Sequence, residues 1–324
     1  MQTPTLYPLR FAPHYLEKIW GGNRLQTVLD RDVPHAGHWG ESWDLSGLAE
    51  RPSVVTNGPF RGQTLPALIE RYGKAITGQD ELDEFPVLIK MLDAELDLSI
   101  QVHPDDALAL KRHGGGKGKS EMWCILAAEP GARLITGFKE GVDEATYLKA
   151  LESGKILDVL NEVPVQPGEV YYVPAGRIHT IGGGILLAEI QQSSDYTYRI
   201  YDWDRKDPAG NLRELHTEAA LEALDYQETG PGKCEVNFDG QGIAPVVQSP
   251  HFTTLLRKLA GASNYHHERP NTFTCYTIVQ GQGTIRYQGL VEDVKRGEVV
   301  LFPADMEPWE LSGSTDFLWL ETHL

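Results

Sequence analysis

Four polar residues together offer the donor atoms that a divalent metal ion prefers. They are Gln101, His103, Glu121 and His179, and they supply one amide oxygen, two imidazoles and one carboxylate. Such a mixed set of nitrogen and oxygen donors suits Zn²⁺ or a similar divalent ion. A catalytic metal must keep one coordination position open for water or substrate, and ligands on three separate strands can leave one.

Two of these residues lie on one predicted β-strand. From Leu96 to His103, apolar and polar residues alternate, which is the period-2 pattern of a strand. Gln101 and His103 therefore project from the same face, and the opposite face is continuously apolar. The pattern leaves two interpretations open: a solvent-facing side of an antiparallel sheet, or the interior of a barrel lined with ligands.

The third residue, Glu121, opens the apolar strand EMWCILA and shares a face with Trp123 and Ile125. A glutamate that is buried on such a face needs a partner, whereas a glutamate at a strand edge is simply hydrated. The segment alone does not choose between these two interpretations. Only the combination with the two histidines and the glutamine favours a metal site.

The fourth residue, His179, belongs to a pattern that occurs twice in the chain. Residues 168–179 read GEVYYVPAGRIH, and residues 297–308 read GEVVLFPADMEP, with Pro308 at the position of His179. A β-rich run precedes each segment. Two diverged copies of one small barrel are therefore the economical interpretation, and the second copy has lost its histidine ligand.

The boundary between the two copies falls in the Gly/Pro-rich stretch at residues 227–233. We therefore predict a catalytic, metal-binding domain over residues 1–230 and a degenerate domain without a metal site over residues 231–324. The second domain does contain His266 and His267. Because these two are adjacent, they would face opposite ways in a strand, unlike a pair two residues apart.

Helical patterns interrupt the first half of the chain. Thr64–Ile76 has apolar residues at helical spacing, and Asp143–Asn161 opens with an acidic first turn. The segment DALALKRHG at residues 106–114 is a third, shorter candidate. The predicted fold class is therefore mostly β, with two small barrels and helical insertions in the N-terminal half.

Charge and composition narrow the possible partners of this chain of 324 residues. A net charge of −17 argues against nucleic acid or an anionic membrane as a partner, so an anionic substrate must be captured by local positive charge. Three widely spaced cysteines argue against a disulfide framework. No apolar run approaches the roughly 20 residues of a membrane span, and the N-terminus lacks the features of a signal peptide. These features predict a cytoplasmic protein.

The second half of the predicted metal site resembles a known motif. Gly168, Pro174, Gly176 and His179 match the second motif of the cupin superfamily in identity and spacing, although Gly183 stands where asparagine is common. The resemblance implies that the two small barrels are cupin-type jelly rolls. It also implies that His179 is a metal ligand.

The first cupin motif is matched by Gln101-Val102-His103 followed by Glu121, with glutamine in place of the usual first histidine. That glutamine is characteristic of the type I mannose-6-phosphate isomerases, and the chain is similar to the short bacterial branch of that family. Six ordered segments carry the similarity: WGGNRL at 20–25, GESWDLS at 40–46, FPVLIKMLDA at 85–94, QVHPDD at 101–106, KSEMW at 119–123 and TYRIYDWDR at 197–205. The similarity covers about residues 5–215, and the remainder resembles only a degenerate cupin.

The resemblance implies three further site residues. Arg199 matches the family's active-site arginine, Lys119 a lysine that lines the pocket, and Asp195 an acidic residue near the reacting carbons. Family members often carry a histidine where this chain has Gly118, so a proton-shuttling role at that position has no support here. From the residues alone, two alternatives remain open: that Arg199 pairs with Asp195 or Asp202 at a strand end, and that Lys119 is exposed in a loop.

The implied activity is the reversible isomerisation of mannose 6-phosphate to fructose 6-phosphate through a cis-enediol, with one Zn²⁺ per chain or another divalent ion in its place. The metal would stabilise the developing oxyanion. Arg199 would bind the enediolate or the phosphate, and Lys119 would act as a cation or a base. Asp195 and a water molecule on the metal are the other candidates for the base. The predicted state is a monomer or a weak homodimer.

Two other classes of function remain open at this point. One is another metal-dependent cupin enzyme, such as an oxygenase or a cupin-type glucose-6-phosphate isomerase. The other is a non-catalytic, sugar-sensing cupin. Dependence of turnover on O₂ would identify an oxygenase, and binding of metal and sugar without turnover would identify a sensor.

Overall fold

The computed structural model describes residues 5–80, 82, 84–206, 210–259, 265–267 and 271–324. The chain forms two compact units. The site unit, which carries all the candidate site residues, comprises Leu16–Glu41 and Leu92–Cys234; the C-terminal unit comprises the residues up to Tyr15, Ser42–Met91 and Glu235–Leu324. The C-terminal unit thus includes segments from the first hundred residues. The predicted domain division at residue 230 stays a prediction.

The fold is mostly β, as the sequence predicts. The strands up to Cys234 are β1 (Phe11–Ala12), β2 (His14–Gly22), β3 (Trp39–Leu45), β4 (Val54–Val55), β5 (Val87–Ala94), β6 (Ile100–Val102), β7 (Glu121–Ala128), β8 (Arg133–Phe138), β9 (Leu160–Pro164), β10 (Val170–Val173), β11 (His179–Ile181), β12 (Ile185–Gln192), β13 (Tyr198–Tyr201) and β14 (Lys233–Cys234). The later strands are β15 (Ile243–Gln248), β16 (Thr253–Lys258), β17 (Tyr265–His267), β18 (Thr274–Gln280), β19 (Gln282–Tyr287), β20 (Leu290–Lys295), β21 (Val299–Phe302), β22 (Trp309–Gly313) and β23 (Leu318–His323).

Short helices interrupt the strands. They are α1 (Arg24–Thr27), α2 (Leu65–Tyr72), α3 (Lys74–Thr77), α4 (Asp106–His113), α5 (Glu144–Glu152) and α6 (Thr217–Ala223), with a 3₁₀ turn at Ile156–Val159. The helix predicted over Thr64–Ile76 is divided into α2 and α3, because Gly73 adopts a positive φ of 47°. No helix in the described ranges is long and apolar enough to cross a membrane.

Local sequence sets the ends of the other predicted helices. The Asp105 side chain caps α4 by accepting a hydrogen bond from the Leu108 N–H, and Gly114 in the left-handed region ends it. The prediction for this helix is therefore confirmed. The helix predicted over Asp143–Asn161 is right only as far as Glu152, because Gly154 turns the chain with a φ of 69°.

Two sheets build the site unit. One has the order β14-β10-β7-β12 and continues through the end of β5 to β2, and the other has the order β13-β6-β11-β8-β9. Trp123 and Tyr171 of the first sheet and Leu134 and Ile181 of the second belong to one buried cluster. The two sheets therefore enclose a common apolar interior, as in a jelly roll.

The faces of β6 settle the interpretation that the sequence left open. Ile100 and Val102 pack in a second buried cluster with Tyr147 of α5 and Ala220 of α6. Because side chains alternate along a strand, Gln101 points the other way, into the interior. The polar face is thus not a solvent-facing side. The strand is shorter than its sequence pattern suggests, since Leu96 lies outside it and is exposed.

Beside the two-stranded sheet of β1 and β4, the C-terminal unit contains two larger sheets. Their strand orders are β15-β16-β23-β18-β21 and β17-β22-β19-β20. The pairings within them are antiparallel, for example between β18 and β21 and between β19 and β22. This unit therefore repeats the two-sheet arrangement of the site unit, in agreement with the predicted second copy.

Candidate metal centre and active site

Strand pairing brings the four candidate ligands together from both sheets of the site unit. His179, the first residue of β11, pairs directly with Gln101 of β6. His103 follows β6 immediately and is 1% exposed. Glu121 is the first residue of β7, in the other sheet, and is also 1% exposed.

The two histidines and the glutamate converge on one point. Nε2 of His179 lies 3.3 Å from Oε1 of Glu121, and Nε2 of His103 lies 3.6 Å from Oε2 of the same carboxylate. One ligand atom from each of the three residues lies within 4.8 Å of the others. Three buried nitrogen and oxygen donors at this spacing form a set that can hold a divalent ion.

Hydrogen bonds orient both imidazoles toward this point. Nδ1 of His103 donates to the carbonyl oxygen of Tyr196 at 2.8 Å, and Nδ1 of His179 donates to the carbonyl oxygen of Arg177 at 2.8 Å. With Nδ1 protonated, each Nε2 presents a lone pair to the interior, which is the arrangement expected of histidine ligands. Burial lowers the pKa of His179 to about 3, so its ring is neutral near pH 7, as a ligand must be.

The environment of Glu121 also indicates that this cluster can hold a divalent ion. Oε1 of Glu121 is buried and accepts no hydrogen bond from any described residue. A buried carboxylate oxygen without a partner is costly, and a bound cation would satisfy it. The donor set therefore fits a metal ion.

Gln101 stands at the edge of this cluster. Its Nε2 lies 3.4 Å from Nε2 of His179, and its Oε1 accepts a hydrogen bond from the Ser99 hydroxyl at 3.3 Å. Rotating the amide by 180° exchanges its oxygen and nitrogen and directs the oxygen toward the cluster. Gln101 is thus in place to act as the fourth ligand, as the sequence predicts.

Lys119 lies inside the site and not in an exposed loop. Its Nζ is 2.7 Å from Oε2 of Glu121, 3.2 Å from Nε2 of His103 and 3.9 Å from Oε1 of Glu189. Burial opposes the positive charge, but the carboxylates of Glu121 and Glu189 outweigh it and raise the pKa of Lys119. The lysine is therefore held as a buried cation.

Glu189 is a site residue that the sequence patterns did not single out. It is 2% exposed, and its Oε2 accepts a hydrogen bond from the Trp123 indole at 3.0 Å. It pairs with Trp123 across β12 and β7, two positions from the pair of Gln191 and Glu121. A glutamate inside the apolar run ILLAEIQQ is the signal that points to this residue.

Arg199 and Asp195 occupy the rim of the cluster. Arg199 pairs with Gln101 across β13 and β6, so both side chains lie on the same face of the sheet. Burial and the nearby charge of Arg213 lower the pKa of Arg199. Asp195 is exposed, and its charge contributes to the raised pKa of Lys119. The structure thus places all seven predicted site residues in one region.

The fold and the donor set define the class to which the chain belongs. It is a cupin-type protein in which the interior of one unit can hold a metal ion. Residues 9–122 match the family model described as phosphomannose isomerase type I, catalytic domain.

Comparisons over almost the whole chain identify the family. The chain is 34% identical to mannose-6-phosphate isomerase of Streptococcus mutans over 96% of its own length and 97% of the relative. It is 35% identical to mannose-6-phosphate isomerase ManA of Bacillus subtilis, covering 95% and 97% of the two chains. The chain therefore belongs to the mannose-6-phosphate isomerase family.

Solved structures agree with this assignment. A crystal structure of mannose 6-phosphate isomerase from Bacillus subtilis aligns with a TM-score of 0.89 at 32% identity, covering 98% of this chain and 99% of that one. A mannose 6-phosphate isomerase bound with zinc and yttrium aligns with a TM-score of 0.76 at 17% identity, covering 98% and 100%. The second match shows a shared fold.

Proposed function

We propose that this chain interconverts mannose 6-phosphate and fructose 6-phosphate at the buried cluster of the site unit. The observation that carries the proposal is the complete donor set, with Lys119 and Arg199 beside it, in a chain that belongs to the mannose-6-phosphate isomerase family. Neither an oxygenase nor a sugar sensor has comparable support. The reaction moves a proton between C1 and C2 of the open-chain sugar through a cis-enediol.

We further propose one Zn²⁺ per chain, held by Gln101, His103, Glu121 and His179. The unpartnered Oε1 of Glu121 and the orientation of both Nε2 atoms support a cation at this point. The zinc in the distant structural relative supports the choice of ion, although other divalent ions suit the same donors. When bound, the ion supplies Lewis-acid stabilisation of negative charge on the sugar oxygens.

Three residues of the chain would act on the substrate directly. Lys119 provides a buried positive charge next to Glu121, which stabilises the enediolate more strongly than an exposed lysine could. Arg199 offers a guanidinium that can bind two oxygens at once. Asp195, an exposed carboxylate close enough to affect Lys119, is the proposed base that carries the proton between C1 and C2.

The test is fructose 6-phosphate formation from mannose 6-phosphate, measured before chelation, after chelation, and after Zn²⁺ is added back. We expect activity to vanish with the chelator and return with the metal. A folded, metal-loaded protein without turnover would overturn the isomerase proposal. Activity that persists through complete chelation would overturn only the role of the metal.

The cellular location and the oligomeric state of the protein also belong to the proposal. A cytoplasmic location and a monomeric or weakly dimeric state remain predictions from the sequence. Size-exclusion chromatography with light scattering across a range of concentrations distinguishes a monomer from a weak dimer. A stable higher oligomer at all concentrations would contradict the prediction.

A further inference from the structure

Arg199 is held by a short segment that the sequence patterns did not single out. This segment, Arg213–His216, is named here the arginine strap. The guanidinium Nη1 of Arg199 donates to the carbonyl oxygen of Glu214 at 2.7 Å. The backbone N–H of Arg199 donates to Nδ1 of His216 at 3.0 Å, and the His216 N–H donates back to the Arg199 carbonyl at 2.8 Å. The strap thus fixes both the backbone and the side chain of Arg199.

The strap is anchored at its first residue. Nε of Arg213 donates to Oδ2 of Asp202 at 2.6 Å, and Nη2 of Arg213 donates to Oδ1 of the same carboxylate. Asp202 is 5% exposed and also accepts a hydrogen bond from Nη2 of Arg205 at 2.5 Å. A two-point contact between a guanidinium and a carboxylate fixes direction as well as distance. Arg213 therefore sets where the strap lies.

The turn that follows β13 is fixed just as firmly. Trp203 and Asp204 have positive φ values of 57° and 52°. Such a conformation is uncommon for residues other than glycine and persists where the surroundings over-determine it. Here the Trp203 indole donates to the Leu98 carbonyl at 2.7 Å, and Arg205 donates to the Asp97 carbonyl at 2.5 Å. The turn is thus tied to the chain that leads into β6.

One edge of the Arg199 guanidinium has no hydrogen-bond partner among the described residues. Nη1 is taken by Glu214, whereas Nε is buried and has no hydrogen-bond partner among the described residues. Nε and Nη2 together form the edge with which arginine binds two oxygens of one anion. The pairing with Gln101 places this residue beside the candidate metal ligands.

We propose that the arginine strap, anchored by Arg213 to Asp202, is a positioning device that holds the guanidinium of Arg199 in the place from which it acts on the substrate. The proposal rests on the proposed isomerase function. Arg213 and Asp202 are positioning residues in this account and do not themselves contact substrate. Their effect on the reaction passes through Arg199, and this makes the proposal testable by a double-mutant cycle.

The experiment compares Arg213→Met, Arg199→Lys and the double variant in turnover of mannose 6-phosphate by the metal-loaded enzyme. We expect Arg213→Met to lower kcat about 10- to 100-fold with little change in KM, as misplacement of a catalytic group does. In the Arg199→Lys background, Arg213→Met should lower kcat less than about 2-fold, because there is no longer a guanidinium to position. Asp202→Asn releases the same anchor and should reproduce the result.

A matched control separates positioning from general disruption. The side chain of Arg112 is 24% exposed, and that of Arg213 is 26% exposed. Arg112 also pairs with a carboxylate, since its Nη2 lies 2.7 Å from Oε1 of Glu222. Arg112→Met should leave kcat unchanged. A crystal structure of the Arg213→Met enzyme should show Nη1 of Arg199 displaced from the Glu214 carbonyl.

Three outcomes would overturn the proposal that the arginine strap positions Arg199. They are an unchanged kcat in both Arg213→Met and Asp202→Asn, an equal loss in both Arg199 backgrounds, and an Arg199 that stays on Glu214 in the variant structure. An equal loss would mean that Arg213 affects the reaction independently of Arg199. If the unmutated, metal-loaded enzyme shows no turnover, the proposed function fails first, and the two failures are therefore distinguishable.

Discussion

The interiors of the two units differ in how they satisfy a buried glutamate. In the site unit, Glu121 faces two imidazoles and Lys119, and its Oε1 has no hydrogen-bond partner in the described part of the chain. In the C-terminal unit, Nη2 of Arg257 donates to Oε1 of Glu321 at 2.9 Å, and Nε of Arg257 forms an ion pair with Oε2 at 2.7 Å. Lys119 pairs with only one oxygen of the first carboxylate, Oε2, and leaves Oε1 facing the imidazoles, whereas one guanidinium contacts both oxygens of the second.

Aromatic packing completes the contrast. In the C-terminal unit, the Trp309 ring stacks between Phe302 and His267, with ring centroids 4.2 and 4.0 Å apart. His266 is exposed on the other face of β17, as its adjacency to His267 predicts. One framework of strands can therefore enclose a metal centre or an aromatic core. The choice rests on a few interior residues.

The largest expected effect comes from removing the charge at Glu121. Glu121→Gln keeps the shape of the side chain but removes the anionic ligand, so we expect kcat to fall by at least about 10³-fold. A coupled assay for fructose 6-phosphate measures this fall in kcat. Glu162→Gln changes an exposed glutamate of the same unit and should have no effect. A Glu121→Gln enzyme with nearly full activity would contradict the assignment of the site.

The C-terminal unit should respond through stability and not through metal binding. Glu321→Ala leaves the Arg257 guanidinium buried without its carboxylate, which should lower the free energy of unfolding by about 3 kcal/mol. Urea unfolding measures the change, and Glu310→Ala, at a half-buried glutamate that pairs with the exposed His266, should cost under about 0.5 kcal/mol. Loss of metal from a folded Glu321→Ala protein would contradict the expectation that Glu321 contributes to stability and not to metal binding.

His267 gives the C-terminal unit a pH dependence with a definite sign. Burial, and then the charge of Arg257, lower its pKa from 6.5 to about 4. The unfolded chain thus binds more protons than the folded chain between these values, so stability is present above pH 6.5 and is lost as the pH falls toward 4. The loss amounts to at most about 3 kcal/mol.

His267→Phe keeps the aromatic stack and should remove this part of the pH dependence. The measurement is the difference in unfolding free energy between the unmutated protein and the variant at pH 7 and pH 4.5, with metal present. The difference cancels the contributions of groups that do not contact His267. Parallel pH curves for the two proteins would contradict the expectation.

A smaller effect is expected at Lys119. Lys119→Met keeps the length of the side chain but removes the cation beside Glu121, so we expect kcat to fall about 10²-fold while the metal stays bound. Lys111→Met alters an exposed lysine that pairs with Glu222 and should leave kcat unchanged. Metal loss in Lys119→Met would mean that the lysine supports the ligands and not the reaction.

The sequence predicts the site better than it predicts the surroundings of the site. Period-2 alternation places Gln101 and His103 on one face, and their distance in sequence from Glu121 and His179 is bridged by motifs alone. Glu189 was missed because its role depends on the register between β12 and β7, which no local pattern encodes.

Two other features lie beyond local patterns for the same reason. Arg213 reaches Asp202 from a loop without periodicity, so this partner of Asp202 does not stand out before the fold is known. The inclusion of Ser42–Met91 in the C-terminal unit depends on contacts between segments far apart in sequence. By contrast, the local segment at residues 106–114 predicts α4, and the cap at Asp105 and the turn at Gly114 explain where this helix begins and ends.

The most direct test of the central comparison is the metal content per chain. Inductively coupled plasma mass spectrometry should be applied to the unmutated protein, to the His103→Ala/His179→Ala double variant, and to His267→Ala, after loading with Zn²⁺ and removal of free metal. We expect about one, zero and one zinc ions per chain, since the cluster of metal-binding side chains found among the described residues lies in the site unit. Two ions in the unmutated protein, or one retained by the double variant, would contradict the account.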